Sequence, residues 1–143
     1  MSAAQSTPPT RAQGLVWKPR EASSQSKLVD LLQMISLNSK AGKPLRLGLV
    51  ISAWDVVIKN EPEIAPSKWI GQAAPLLQQF VSMNPERFEV RAFGISAQGG
   101  DNQADGESLR MLDDPSKRII VVGPDCGEHD ITAPLAWILK SNA

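Results

Sequence analysis

Two short polar segments of this chain follow apolar runs, and together they have the residue types of a ligand site. In an open α/β sheet, ligands bind in the crevice beyond the carboxyl ends of the strands. Small residues there leave room for a ligand, and a carboxylate can accept hydrogen bonds from it. The two segments are Ser52-Ala53-Trp54-Asp55, after the run 45–51, and Ser96-Ala97-Gln98, after the run 88–95.

The elements that would position these segments follow from the apolar spacing. The run 45–51 is almost continuously apolar apart from Arg46, which is typical of a strand buried on both faces of a parallel sheet. The run 88–95 is predicted as the second strand. A helical pattern over 66–82 lies between them. A strand-helix-strand order of this length predicts two parallel strands joined by a right-handed crossover, so both polar segments are expected at one edge of the sheet.

Helical spacing and turn residues predict the remaining elements. A helix is expected over 25–38, preceded by serines that can cap its first turn. Further along, we expect a short helix over 107–112, a third strand over 118–122 and a helical stretch over 130–139. The predicted fold class is therefore α/β, a small parallel sheet with helices on its faces. Such a sheet leaves an edge unpaired, which predicts self-association or a protein partner.

Composition indicates how the chain is organised. Residues 1–24 are rich in Ser, Thr, Gln, Ala and Pro, which predicts a flexible N-terminal arm before an α/β domain over 25–143. Fifteen basic and fifteen acidic residues cancel without a basic cluster, so neither a nucleic acid nor a membrane surface is indicated as a partner. The single Cys126 and the absence of a signal peptide predict a cytoplasmic protein.

Taken together, the two polar segments resemble a known family. P-loop GTPases carry a guanine-specificity motif, [NT]-K-x-D, after a buried strand; here Ser52, Ala53 and Asp55 stand at the Asn/Thr, Lys and Asp positions. Ser96-Ala97 resembles the later Ser-Ala motif of those proteins. The runs LGLVISAWDVV, FGISAQGG and EHDITAPLAWIL are similar to the C-terminal half of the bacterial double-GTPase family, whose members are TRAFAC-like GTPases of prokaryotic conflict systems.

The resemblance covers about residues 28–139 and implies the C-terminal half of a Ras-like fold with a guanine site. In the family, the motif's carboxylate accepts two hydrogen bonds from the Watson–Crick edge of guanine, and a backbone N–H of the Ser-Ala motif meets guanine O6. The resemblance therefore assigns base binding to Ser52, Ala53, Trp54, Asp55, Ser96, Ala97 and Gln98.

The sequence departs from the family's pattern in the parts that hold phosphate. It contains no G-x-x-x-x-G-K-[ST], no counterpart of the switch threonine and no D-x-x-G segment. Phosphoryl transfer needs phosphate-cradling amides, a Lys and a Mg²⁺ ligand, so no catalytic residue and no metal site is predicted. We expect a truncated, split or degenerate GTPase-like protein that is inactive alone. The resemblance implies GTP or GDP as ligand only when a protein partner, or a missing N-terminal GTPase half, completes the domain.

Other interpretations of the same residues stay open at this level. The chain could be a non-catalytic α/β interaction module that binds a protein and no nucleotide. Asp55 could cap the helix or turn that follows the strand, and Trp54 is favoured as a packing residue over a stacking platform. His129 beside Asp130 suggests a hydrolase dyad, but no nucleophile motif accompanies it.

Metal sites are weakly indicated. Asp101-x-Gln103-x-Asp105-Gly106 imitates the first half of a calcium loop, but the twelfth position is Leu112 where that loop needs a bidentate Glu. Cys126 has no second thiol at the spacing of a zinc site.

Overall fold

The computed structural model describes residues 22–38, 42–100, 105–112 and 114–140. Most of the predicted arm, and Asp101 and Gln103 of the calcium-like loop, lie outside them. Helices and strands of the described residues follow one another as α1 (Ser24–Leu37), β1 (Leu45–Ser52), α2 (Trp54–Asn60), α3 (Pro66–Ala73), α4 (Pro75–Ser82), β2 (Phe88–Ser96), α5 (Gly106–Arg110), β3 (Ile120–Val122) and α6 (Ala133–Leu139).

The strands form a sheet of order β1-β2-β3 in the described part of the chain. β1 and β2 are parallel, as predicted, and Ser52 lies opposite Ile95 at the carboxyl end of the pair. β3 is antiparallel to β2, with Ile120 opposite Ser96, so the sheet is mixed and not wholly parallel. A parallel third strand would require a long, usually helical crossover. The described part of the connection contains only the five-residue α5 and a 3-10 turn over Pro115–Arg118.

One face of the sheet carries most of the apolar core. Side chains alternate along each strand, so Leu47 and Leu49 of β1 share this face with Phe88 and Val90 of β2. Buried side chains of α1 and α4, including Leu32 and Leu77, pack against it. A second cluster joins the end of β1 to α2 and α3. Hydrophobic burial therefore holds α1, α2, α3 and α4 to the sheet.

The other face is covered by α6. The Trp137 ring lies 6.4 Å from the Phe93 ring, centroid to centroid. Gly48 lets α6 approach β1, because a Cβ there would lie 3.2 Å from Ile138 Cδ1. No helix in the described ranges is long and apolar enough to span a membrane.

The helix predicted over 66–82 is two helices. Ala74 between α3 and α4 has φ −136° and ψ 59°, outside the helical region. Pro75 causes this break, because its ring clashes with the preceding turn and disfavours a helical conformation for the residue before it. The side chain of Gln25 bridges the gap: Nε2 donates to the Ala73 carbonyl at 3.4 Å, and Oε1 accepts from the Leu76 N–H at 3.0 Å.

The helix predicted over 25–38 is confirmed as α1, displaced by one residue at each end. Ser23 is its N-cap, and its Oγ accepts a hydrogen bond from the Ser26 N–H at 3.2 Å. Val29 and Leu32 are its buried residues. The serine-rich start of the helix therefore has the capping role predicted from its composition.

Candidate functional site

The chain reverses sharply at the end of β1 to begin α2, a helix that the sequence patterns did not predict. Ala53, between strand and helix, has φ 52° and ψ 45°, the left-handed conformation. This conformation costs a residue with a Cβ about 1–2 kcal/mol. Strained backbone of this kind concentrates at ligand sites, where the surrounding structure holds it in place.

Trp54 holds this reversal in place by packing against β2. Its side chain is completely buried, and a Cβ added to Gly94 would lie 2.1 Å from Trp54 Cδ2. The indole Nε1 is buried without a hydrogen-bond partner among the described residues. Trp54 is therefore a packing residue that fixes the start of α2 on the sheet, and its ring does not offer a platform for a ligand.

Asp55 lies in the first turn of α2, one position beyond Trp54. The N-cap is Ala53, so the interpretation of Asp55 as the helix cap is wrong. Its side chain is nearly buried, at 9% exposed. No hydrogen bond or ion pair with another residue in the described ranges engages its carboxylate. The helix dipole favours a negative charge at this position, which is consistent with an ionised carboxylate in the first turn of α2.

The chain forms a tight turn at the end of β2. Ser96 is 2% exposed, and its Oγ accepts a hydrogen bond from the Gly99 N–H at 2.9 Å. Gly99 has φ +72° and lies against the backbone of Arg118, where a Cβ would come within 2.0 Å of the carbonyl oxygen. Ala97 and Gln98 form the exposed tip of this tight turn.

The two strand ends meet at one pocket of about 430 Å³, a volume in the range of small-molecule sites. Five of the predicted site residues line it, whereas Ser52 and Trp54 do not. Val56 and Gly100 also line it and were not predicted. Val56 reaches the pocket because it belongs to α2, the helix that the sequence patterns did not predict. The residues that line this base pocket are Ala53, Asp55, Val56, Ser96, Ala97, Gln98 and Gly100.

An ion pair ties α2 to the loop beyond the base pocket. Lys59 Nζ lies 2.8 Å from Asp105 Oδ2. A Cβ on Gly100 would come within 2.8 Å of the same oxygen, so the Asp105 carboxylate packs directly on the loop. Both groups are partly exposed, and such a pair contributes at most about 1 kcal/mol to stability.

The other sequence candidates do not form a second site. His129 Nδ1 donates to the Ile119 carbonyl at 2.6 Å, which assigns the ring a structural contact. Burial raises the pKa of the nearby Cys126 thiol, and the carboxylates of Asp130 and Asp125 act in the same direction, so the thiol is a poor nucleophile. The described residues contain no group of three or more His, Cys, Asp or Glu side chains able to hold a metal ion.

Comparison with known proteins identifies a family for this chain. The family model for Double-GTPase 1 matches residues 2–138, nearly the whole chain. No curated protein and no solved structure matches the chain. The α/β fold, its parallel β1–β2 pair and this match support one assignment: the chain belongs to the Double-GTPase 1 family.

Proposed function

We propose that this chain is the guanine-recognising portion of a GTPase-like protein, and that the base pocket receives the guanine ring. The observation that carries the proposal is the Asp55 carboxylate, which lines the pocket without a partner in the described structure. Membership of a double-GTPase family supports a GTPase-related function. The position of Asp55 in the guanine-specificity pattern points to the base itself.

Asp55 has the chemistry to select guanine. A carboxylate accepts hydrogen bonds and donates none, and guanine presents its N1–H and exocyclic amine side by side. Hydrogen bonds to a charged group contribute about 1.5–3 kcal/mol each. Adenine has no such pair of donors, so the pocket would leave the carboxylate unsatisfied when adenine enters. Two bonds at this strength are enough to discriminate by more than tenfold.

The rest of the pocket suits a flat heterocycle. The methyl of Ala53 and the exposed side chain of Val56 supply apolar surface beside the carboxylate. Ser96, Ala97 and Gln98 bring the tight turn at the end of β2 to the opposite part of the lining. A backbone N–H of this turn would meet guanine O6, as the resemblance to the Ser-Ala motif implies.

The proposed role is recognition without catalysis by this chain alone. The sequence has no phosphate-loop motif, so the phosphates have no amide cradle and no Lys. We expect the purified chain to leave GTP intact. Turnover proportional to protein concentration, in a preparation free of other GTPases, would contradict this expectation.

Asp55→Asn tests the base site directly. The Asn amide can donate a hydrogen bond to the carbonyl that xanthine has where guanine has its amine. Asp55→Asn should therefore lower the affinity for GTP at least tenfold and favour xanthosine triphosphate. Asp30→Asn, which removes an exposed carboxylate of α1, is the matched control and should bind like wild type. Calorimetric titration of GTP, xanthosine triphosphate and ATP into all three proteins measures this. No reversal of preference in Asp55→Asn contradicts the proposal.

A protein-interaction module is the second candidate, favoured by the free edge of β1. β1 pairs only with β2 in the described sheet, so its other edge offers unpaired backbone groups. Val50 of β1 is 52% exposed, and Ile138 and Leu139 of α6 leave further apolar surface on the same side. We propose that a strand of a second copy of this chain pairs here. Sedimentation tests it: the isolated chain should self-associate, Val50→Lys should reduce this, and a wild-type monomer at all concentrations contradicts it.

A further inference from the structure

We infer that the base pocket reads the nucleobase alone, so that guanosine binds as tightly as GTP. The inference rests on the proposed guanine site and specifies its ligand class as guanine nucleosides irrespective of phosphorylation. It follows from the charges and backbone donors around the pocket.

The pocket lining contains one charge, and it is negative. Among the described residues that form it, Asp55 is the only ionisable one. Ala53 stands where the family motif has a Lys, so a cation is missing from the position at which the resemblance would place it. A triphosphate entering this pocket would bring its negative charges toward a carboxylate with no cation in the lining to offset them.

The nearest described cation on α2 is already paired. Lys59 lies one helical turn after Asp55, on the same side of the helix, and its Nζ contacts Asp105 Oδ2 at 2.8 Å. Recruiting Lys59 to a phosphate would therefore break this ion pair, which offsets part of the attraction gained.

One backbone donor of the glycine-rich turn is already engaged and is not available to a phosphate. Consecutive backbone N–H groups in such turns can bind anions when they are free to point at them. Here the Gly99 N–H is donated to Ser96 Oγ at 2.9 Å, within the turn itself. Gly99 also lies against the Arg118 carbonyl oxygen, which is an acceptor and repels an anion.

The expected size of the phosphate effect is small. Exposed charges separated by more than about 8 Å are largely screened at physiological ionic strength. The described lining offers the phosphates no cation, and salt weakens their repulsion by Asp55, so they would add neither attraction nor strong repulsion. Dissociation constants for guanosine, GMP, GDP and GTP should agree within about threefold, and Mg²⁺ should leave them unchanged.

Calorimetric titration of the full chain with these four ligands, with and without Mg²⁺ at 0.15 M salt, tests the inference. GTP binding more than threefold tighter than guanosine, or dependent on Mg²⁺, overturns it. If that happens while Asp55→Asn still reverses the base preference, the proposed guanine site stands and only the indifference to phosphate fails. If no guanine ligand binds, the guanine site and this inference fail together.

A cation introduced into the pocket lining tests whether missing positive charge explains the indifference to phosphate. Gln98→Lys places a positive charge in the lining, and we expect GTP to gain about threefold to tenfold over guanosine. Gln98→Met, of similar length without charge, is the matched control and should keep the wild-type ratio. If Gln98→Lys leaves the ratio of GTP to guanosine affinity unchanged, the missing positive charge is not the reason for the indifference to phosphate.

Discussion

The ends of β1 and β2 lie side by side, yet they are built by opposite means. At the end of β1 a strained Ala53 and a buried Trp54 hold a helix whose first turn presents the Asp55 side chain to the base pocket. At the end of β2 the chain forms a turn closed by the hydrogen bond between Ser96 and Gly99, and the exposed Ala97 and Gln98 of this turn line the same pocket. The proposed site would therefore take its selectivity from one packed helix start and its shape from one tight turn.

The largest effect is expected where the first strand end is anchored. Trp54→Ala removes a fully buried side chain and leaves a cavity, so the free energy of unfolding should fall by about 3–5 kcal/mol. Urea unfolding measures it. Trp54→Phe keeps most of the ring and removes the unpartnered N–H, and it should cost much less. Equal losses in both variants would contradict the role assigned to the packed aromatic ring.

Gly99→Ala breaks the second strand end. Its positive φ and the Arg118 carbonyl oxygen leave no room for a Cβ, so we expect a loss of about 2–4 kcal/mol. Gly106→Ala is the matched control, because a Cβ at Gly106 meets no atom within 4 Å. A melting temperature of Gly99→Ala equal to that of the control would contradict the tight turn.

Ser96→Ala sharpens the difference between the two serines that end the strands. Ser96 is buried and its Oγ accepts the Gly99 N–H, so removing it should cost about 1–2 kcal/mol. Ser52 is exposed and outside the pocket lining, and Ser52→Ala should stay within about 0.5 kcal/mol of wild type. Denaturant unfolding of both variants checks this, and similar losses would remove the distinction.

The smallest expected effect is an increase in the free energy of unfolding. Ala53→Gly relieves a left-handed conformation that costs about 1–2 kcal/mol, but it adds about 0.4–1 kcal/mol of unfolded-state entropy, so the net gain should be at most about 1 kcal/mol. Ala97→Gly, at a position without positive φ, should instead lose a few tenths of a kcal/mol. If Ala53→Gly also destabilises the protein, the strain assigned to Ala53 is absent.

The parts of the fold that depend on long apolar runs were predictable. β1, β2 and their parallel direction follow from two apolar runs separated by a helical segment, and α1 follows from helical spacing after serines. The break at Pro75 was visible in the sequence, but the apolar face continues across it and suggested one helix. The direction of β3 depends on how its connection packs, which no local pattern encodes.

The candidate site was predicted in its composition but not in its geometry. Two polar segments after parallel strands indicated that Asp55 and Ala97 would approach one another, and both line one pocket. The seven-residue α2 was missed because it is short and begins at an alanine in a conformation that alanine rarely adopts. Without α2, neither the burial of Trp54 nor the contribution of Val56 could be inferred.

The Gln25 bridge makes α1 a reporter on the region around Pro75. The Leu76 amide donates to a side chain of α1, so its protection against hydrogen exchange depends on α1 remaining docked. Hydrogen exchange at the Leu76 amide should therefore be faster than at amides bonded within α4. The ratio of the two exchange rates measures how often α1 undocks without global unfolding. Gln25→Ala should abolish that protection while leaving the interior of α4 slow to exchange. A single amide would thus measure how independently the first helix moves from the sheet that carries the base pocket.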